Sequence, residues 1–171
     1  MKLQKMMLTL VLTALTFVAP VFANTTTASP DASEAVLEVS GMRSSTEVTV
    51  TLDITALRAI GTTEIVTSTI WTDGVHRFSG VLLRDLLKHV GATSGVVVQA
   101  QALNDYAIQI PFDDAIMSEA LVAFEMDGEP MHRRAKGPLW IVYPFDRAAK
   151  FRTETIYARS IWQLNRLHIV K

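Results

Sequence analysis

The chain of 171 residues contains no cysteine. That absence excludes disulfide staples, a cysteine nucleophile and any thiolate ligand to a metal, and it leaves stability to the apolar core. A basic excess is also missing: 16 lysines and arginines stand against 17 acidic residues, a balance that does not suit a nucleic-acid backbone. Beyond the N-terminus no apolar run approaches the roughly 20 residues that cross a membrane. The short motifs of familiar chemistry are absent too. There is no G-x-S-x-G elbow, no Walker loop and no G-x-G-x-x-G. The four histidines, His76, His89, His132 and His168, include no i,i+4 pair and no H-E-x-x-H, so zinc or iron has no local signature. Asp113-Asp114 reads as a helix start, where carboxylates meet the positive end of the dipole.

What is present begins with a secretion signal. Lys2 and Lys5 precede an apolar run, Met6 to Val18, interrupted only by threonines. Val21-Phe22-Ala23 then offers the small residues a signal peptidase reads, so cleavage is expected after Ala23. The expected location is periplasmic or secreted, with no membrane insertion after cleavage. Removing 23 of 171 residues leaves 148 and takes the net charge from −1 to −3, since Lys2 and Lys5 go. That length suits one domain. The expected organisation is a signal peptide at 1–23, a flexible polar leader at 24–34 and one domain at 35–171.

The rest of the chain alternates short strands and short helices. Strands are expected at 35–40, 46–52, 64–72, 95–103, 107–111, 121–126, 139–143 and 164–170, from β-branched content and period-two alternation. Residues 41–45 read as a loop. Asp53 is placed to cap a helix over 54–60 that Gly61 stops. A second helix is expected from a Ser79 cap to Gly91, with Leu82, Leu83, Leu86, Leu87 and Val90 on one stripe. A third, short and capped by an aspartate, is expected over 113–120. Asp73-Gly74, Asn104-Asp105 and Asp127-Gly128 read as turns. Residues 145–159 show no clear period. The sum is an α+β fold: a single compact domain with a mixed or antiparallel sheet and short helices.

One stretch draws attention, Met126 to Pro144. A turn leads into a loop that carries His132, Arg133, Arg134 and Lys136 within six residues, and Gly137-Pro138 then launches an apolar strand. Arginine forks clamp phosphates and carboxylates well, so Arg133 and Arg134 are candidates for binding an anion. Arg159, with Arg152, flanks the last strand and would join them if the fold brings them together. His76-Arg77 follow the Asp73-Gly74 turn. Trp71, Trp140 and Trp162 lie in or beside strands. Core packing is the ordinary role of such residues, and a stacking wall for a flat heterocycle is the sharper one. Tyr106 and Tyr143 carry the same two readings.

Phe78 to Gly91 resembles a segment of the sulfite-oxidase-type molybdopterin-binding domain, in which an aromatic-x-Gly-Val precedes a leucine-rich helix and a glycine. The resemblance continues through Asn104-Asp105-Tyr106, Ile110-Pro111, Ala123 to Met131, Gly137-Pro138-Leu139, Tyr143-Pro144 and Ser160 to Leu164. It covers nearly all of the chain after the leader and is closest to short, exported single-domain members. It implies that family's fold. In the family's enzymes a cysteine thiolate binds molybdenum from the loop after the strand that 64–72 resembles. Here that neighbourhood holds Ser68, Thr69, Thr72 and Asp73, and hydroxyls substitute poorly for a soft sulfur ligand. Trp140 and Trp162 stand where family members often carry a cofactor-facing arginine and lysine.

The resemblance therefore implies the fold and argues against the family's redox catalysis. The expected function is a non-catalytic exported module that binds a small anionic or heterocyclic ligand, such as a pterin, through His76, Arg77, Arg133, Arg134, Trp140, Arg159 and Trp162. Its cofactor would be molybdopterin or a pterin without molybdenum. One alternative is a periplasmic sensory or accessory protein that docks an envelope partner. Another is a molybdenum-dependent oxidoreductase in which Thr69, Thr72, Asp73 or His76 replaces the thiolate.

Overall fold

The computed structural model describes residues 34–43 and 46–171. The expected signal peptide and most of the expected leader lie outside the described residues. Among the described residues, ten strands form one mixed sheet, and four short α-helices accompany it. The strands are β1 (Leu37–Arg43), β2 (Thr46–Leu52), β3 (Thr63–Thr69), β4 (Thr72–Leu82), β5 (Val97–Ala102), β6 (Ala107–Pro111), β7 (Leu121–Met126), β8 (Glu129–Pro130), β9 (Leu139–Val142) and β10 (Trp162–Val170). The helices are α1 (Ile54–Ile60), α2 (Leu83–His89), α3 (Phe112–Met117) and α4 (Glu154–Arg159).

The main path of the sheet runs β2-β1-β10-β9-β7-β4-β3. Strand β10 is its hub. Leu164 faces Leu139 of β9 on one edge and Ala102 of β5 on the other, while Arg166 lies between Glu38 of β1 and Gln101 of β5. So β9 and β1 share one edge of β10 end to end, and β5, backed by β6, takes the opposite edge. Only the β1–β10 pairing is parallel among the ladders described. All four residues of β9 are buried, as are Leu121 to Phe124 of β7, which is the pattern of central strands covered on both faces. Leu83, Leu86 and Leu87 bring α2 onto this core.

Several local readings hold. Asp53 Oδ1 accepts from the Ala56 amide at 2.7 Å and caps α1, and Gly61 ends it at φ 149°. Asp127 and Gly128 both have positive φ, 55° and 84°, as a tight hairpin turn between β7 and β8 requires. Asn104-Asp105 reverses the chain between β5 and β6.

Several boundaries differ, and four of the differences are more than a residue or two of fraying. The helix expected from Ser79 begins at Leu83, because 79–82 stay extended in the ladder with β7, where Ser79 faces Glu125 and Leu82 faces Leu121. The aspartate cap of α3 does not form: Pro111 precedes the helix, and Asp113 and Asp114 sit in its first turn. Strand β1 runs on to Arg43 through part of the expected loop. The turn expected at Asp73-Gly74 comes earlier, at Ile70-Trp71, with Thr69 opposite Thr72. Asp73 and Gly74 are then surplus residues on β4, a bulge in which Gly74 adopts φ 78°. That displaced turn decides where Trp71 goes.

Candidate functional site

Thr69 and Thr72 close the β3–β4 turn with their hydroxyls 2.8 Å apart, and the Trp71 amide donates to Thr69 Oγ1 at 3.1 Å. A second tie comes from the chain after β9. Asp146 accepts from the Ser68 amide at 2.6 Å and from its hydroxyl at 2.7 Å, and the Asp146 amide donates to Thr67 Oγ1 at 3.1 Å. The amide hydrogen bond from Ser68, first among these contacts, holds the Asp146 carboxyl below the usual carboxylate range. With its turn fixed at both ends, Trp71 reaches back over the sheet. Its ring meets Trp162 at 5.5 Å, Tyr157 at 5.7 Å, Trp140 at 5.8 Å and Phe145 at 6.2 Å between centroids, all edge to face. Edge-to-face contact places positive ring edges on negative ring faces.

Trp140 is the base of this cluster. It is fully buried on β9, and its indole N–H donates to the Ser160 carbonyl at 3.1 Å. Tyr157 comes from α4, which Thr153 caps by accepting from the Ile156 amide. The β5–β6 turn supplies the far rim. Asn104 Oδ1 accepts from the Tyr106 amide at 3.2 Å, and Asp105 takes φ 64°. These elements enclose a cavity of about 460 Å³ whose walls include Trp71, Tyr157 and Trp162, with Asn104, Tyr106 and Ser160 among its other lining residues. A space of this size with aromatic walls and few polar groups is the usual form of a small-molecule site.

The cationic loop sits behind Trp162. It folds on itself, with the Ala135 and Gly137 amides donating to the His132 carbonyl, and Gln163 clamps it from β10 by donating Nε2 to Arg133 O at 2.7 Å and Ala135 O at 3.2 Å. His132, Arg133 and Arg134 point to solvent. Lys136 turns inward. Its ammonium lies 3.7 Å from the centroid of Trp162 and 5.5 Å from that of Trp140, and burial lowers its pKa.

The seven expected site residues do not converge. Trp140 and Trp162 are neighbours, 6.4 Å apart, but only Trp162 lines the cavity. Arg133 pairs with Glu34 at 3.0 Å, Arg159 with Asp114 at 2.8 Å and Arg77 with Glu64 at 2.6 Å. Arg134 is exposed. His76 belongs to the bulge and turn region: Nδ1 lies 2.6 Å from Asp127 Oδ2 and Nε2 lies 2.8 Å from the Asp73 carbonyl. Trp71 and Tyr106 are among the residues to which the sequence draws attention, Tyr157 is not, and Lys136 reads from sequence as one more cation of the loop. A useful signal was available at Tyr157: Thr153 three residues before Ile156 marks a helix start that fixes where the tyrosine projects.

Both ring nitrogens of His76 face oxygen acceptors, a setting that favours the doubly protonated imidazolium, which can donate from each. The hydrogen bond to Asp127 is the main cause that raises its pKa above 6.5. A raised folded-state value adds stability that is full below the unfolded pKa and fades as pH rises through the folded one. His76→Gln is therefore expected to melt below wild type at pH 5.5, with the gap closing as pH climbs past neutrality. A gap that stays constant across thermal melts at these pH values would show that the imidazolium contributes nothing.

Among the described residues no three histidine, aspartate or glutamate side chains gather closely enough to hold a metal ion. No helix among them is long and apolar enough to cross a membrane. In comparisons with known proteins, no curated protein matches the chain. A family model, described as the oxidoreductase molybdopterin binding domain, matches residues 28–151.

Proposed function

The chain belongs to the oxidoreductase molybdopterin binding domain family, and from that premise we propose that it is an exported, non-catalytic member that binds a small flat heterocyclic ligand, a pterin first among them, in the aromatic cavity. The observation that carries the reading is the cavity itself, about 460 Å³ and walled by Trp71, Tyr157 and Trp162. Indole and phenol faces stack on any flat ring, and each such contact contributes about 1–3 kcal/mol.

The residues present do not fit a molybdenum cofactor. The chain has no thiolate to offer, and the turn that follows β3 presents Ile70 and Trp71. Of the alternative donors nearby, the Thr69 and Thr72 hydroxyls are engaged with one another, the Ser68 hydroxyl with Asp146 and both nitrogens of His76 with oxygens, which leaves the exposed Asp73 carboxylate, a hard oxygen donor and no match for a soft sulfur ligand. A phosphate-bearing cofactor also needs free cations. Arg77 and Arg159, like Arg58 with Glu125 and Arg147 with Glu119, already have carboxylate partners, while Arg134 and Lys136, which have none among the described residues, do not line the cavity. This supports ligand binding over redox chemistry.

The test uses the chain from Asn24 to Lys171, purified from an export compartment, where a mass matching that start checks cleavage after Ala23. Titration with oxidised pterin is followed by tryptophan emission. Saturable quenching is expected, and Trp162→Ala should weaken it about 10- to 100-fold. No binding by wild type, or equal binding by Trp162→Ala, would reject the site. Stoichiometric molybdenum in the purified protein would revive the oxidoreductase.

One observation favours a second reading, docking of an envelope protein. Val66, Ile70 and Val75 on the β3–β4 hairpin are each more than half exposed, and Val66 and Val75 share the outward face of a strand pair at the sheet's edge. Capture of a partner from envelope extract that Val66→Glu abolishes would support it.

A further inference from the structure

The aromatic cavity has a charge behind one of its walls. Lys136 does not line the cavity, but its ammonium sits 3.7 Å from the centroid of Trp162, against a face of the indole. No carboxylate lies within ion-pair distance of it among the described residues. The other cations of its loop point outward, and Arg133 is paired with Glu34. The position of Lys136 is built rather than accidental. The Gln163 amide donates to the Lys136 carbonyl at 2.9 Å while the Gln163 side chain holds the two carbonyls at 133 and 135. Gln163 itself takes φ 53°, a left-handed conformation at the bulge of β10. The chain thus fixes an uncompensated positive charge beside a wall of the aromatic cavity.

We propose that Lys136 sets the charge of the ligand: the cavity takes a flat heterocycle that carries a negative charge and discriminates against the same ring when neutral. The proposal rests on the reading of the cavity as a heterocycle site and adds the ligand's charge to it. A ring stacked about 3.5 Å from Trp162 on the side opposite Lys136 would lie roughly 7 Å from the ammonium. At that distance, in partly desolvated surroundings, opposite charges favour binding by about tenfold, after allowance for screening at the open mouth. The ammonium also draws electron density from the indole, so the opposite face attracts a second cation poorly and an anionic ring well. The neutralised guanidiniums leave this task to Lys136: Arg159, the arginine of α4 beside the cavity residue Ala158, is already bound to Asp114.

A matched pair of probes reads this directly, pterin-6-carboxylate and its neutral carboxamide, each titrated against wild type, Lys136→Met, Lys136→Arg and Trp162→Ala. Wild type is expected to bind the carboxylate about tenfold more tightly than the carboxamide. Lys136→Met keeps the length and apolar stem of the side chain and should erase that preference, read as the ratio of the two affinities. Lys136→Arg should restore it. Equal affinities in wild type, or a preference that survives Lys136→Met, would overturn the proposal and leave the heterocycle site standing. Failure of both probes to bind wild type, or full binding by Trp162→Ala, would overturn the site and this proposal with it.

Discussion

Trp140→Ala is expected to lower stability by about 3–5 kcal/mol, the usual cost of removing a large buried aromatic. In a domain of this size that is a fall in Tm of roughly 10–20 °C. Trp140 is fully buried on the central strand β9. Three aromatic rings pack against it, those of Phe78 at 5.4 Å, Trp71 at 5.8 Å and Trp162 at 6.4 Å. Its indole N–H also satisfies the Ser160 carbonyl, which the truncation leaves without that donor inside the core. Trp162 is only half-buried, so Trp162→Ala should cost about 1–2 kcal/mol. Thermal melts of the two variants side by side would separate the roles. A larger loss for Trp162→Ala than for Trp140→Ala would mean that the cavity wall, not the base, holds the cluster together.

The comparison of these two tryptophans shows what the sequence can and cannot convey about the site. From sequence alone both invite the same guess of a stacking wall. Nothing local distinguishes them. The difference arises because Trp140 lies on a strand between β7 and β10, covered on both faces, whereas Trp162 opens β10 beside the bulge at Gln163. Burial of this kind depends on strand order, and strand order is not written in any window of residues.

Elements with strong local chemistry were legible. The Asp53 cap, the Gly61 stop and the Asp127-Gly128 hairpin follow from side-chain hydrogen bonding and from glycine's tolerance of positive φ. The start of α2 was not, because Ser79 to Leu82 fit a leucine-rich helix by spacing yet gain a full ladder of hydrogen bonds with β7. Tertiary pairing overrides propensity there. The displaced turn at Ile70-Trp71 has a similar origin. Asp-Gly is the stronger turn signal, but a glycine with φ 78° serves a bulge equally well, and the pairing of 63–68 with 75–80 requires the reversal to fall before it. The site inherits these nonlocal decisions. Its residues, Trp71, Tyr106, Lys136, Tyr157 and Trp162, come from a hairpin turn, a second turn, a loop, a helix and a strand, so no spacing motif could join them.

Gly137→Ala is expected to be the most damaging single-methyl change near the site. A Cβ at that position would lie 1.7 Å from the Met131 carbonyl oxygen and 2.4 Å from its carbon. Those are backbone atoms, and the Gly137 amide is itself bonded to the His132 carbonyl, so no rotamer change relieves the overlap. The loop from Met131 to Lys136 must open, at a cost of about 3 kcal/mol or more. Gly74→Ala is the instructive contrast. Nothing lies within 4 Å of a Cβ there, and the penalty comes only from φ 78°, about 1 kcal/mol. Opening the loop would also carry Lys136 away from Trp162. In urea melts Gly137→Ala should lose several times the stability that Gly74→Ala loses, and in ligand titration it alone should lose the preference for an anionic ring. Equal losses in the melts would mean that the loop can yield without strain. A retained preference in Gly137→Ala would mean that the charge reaches the cavity from elsewhere.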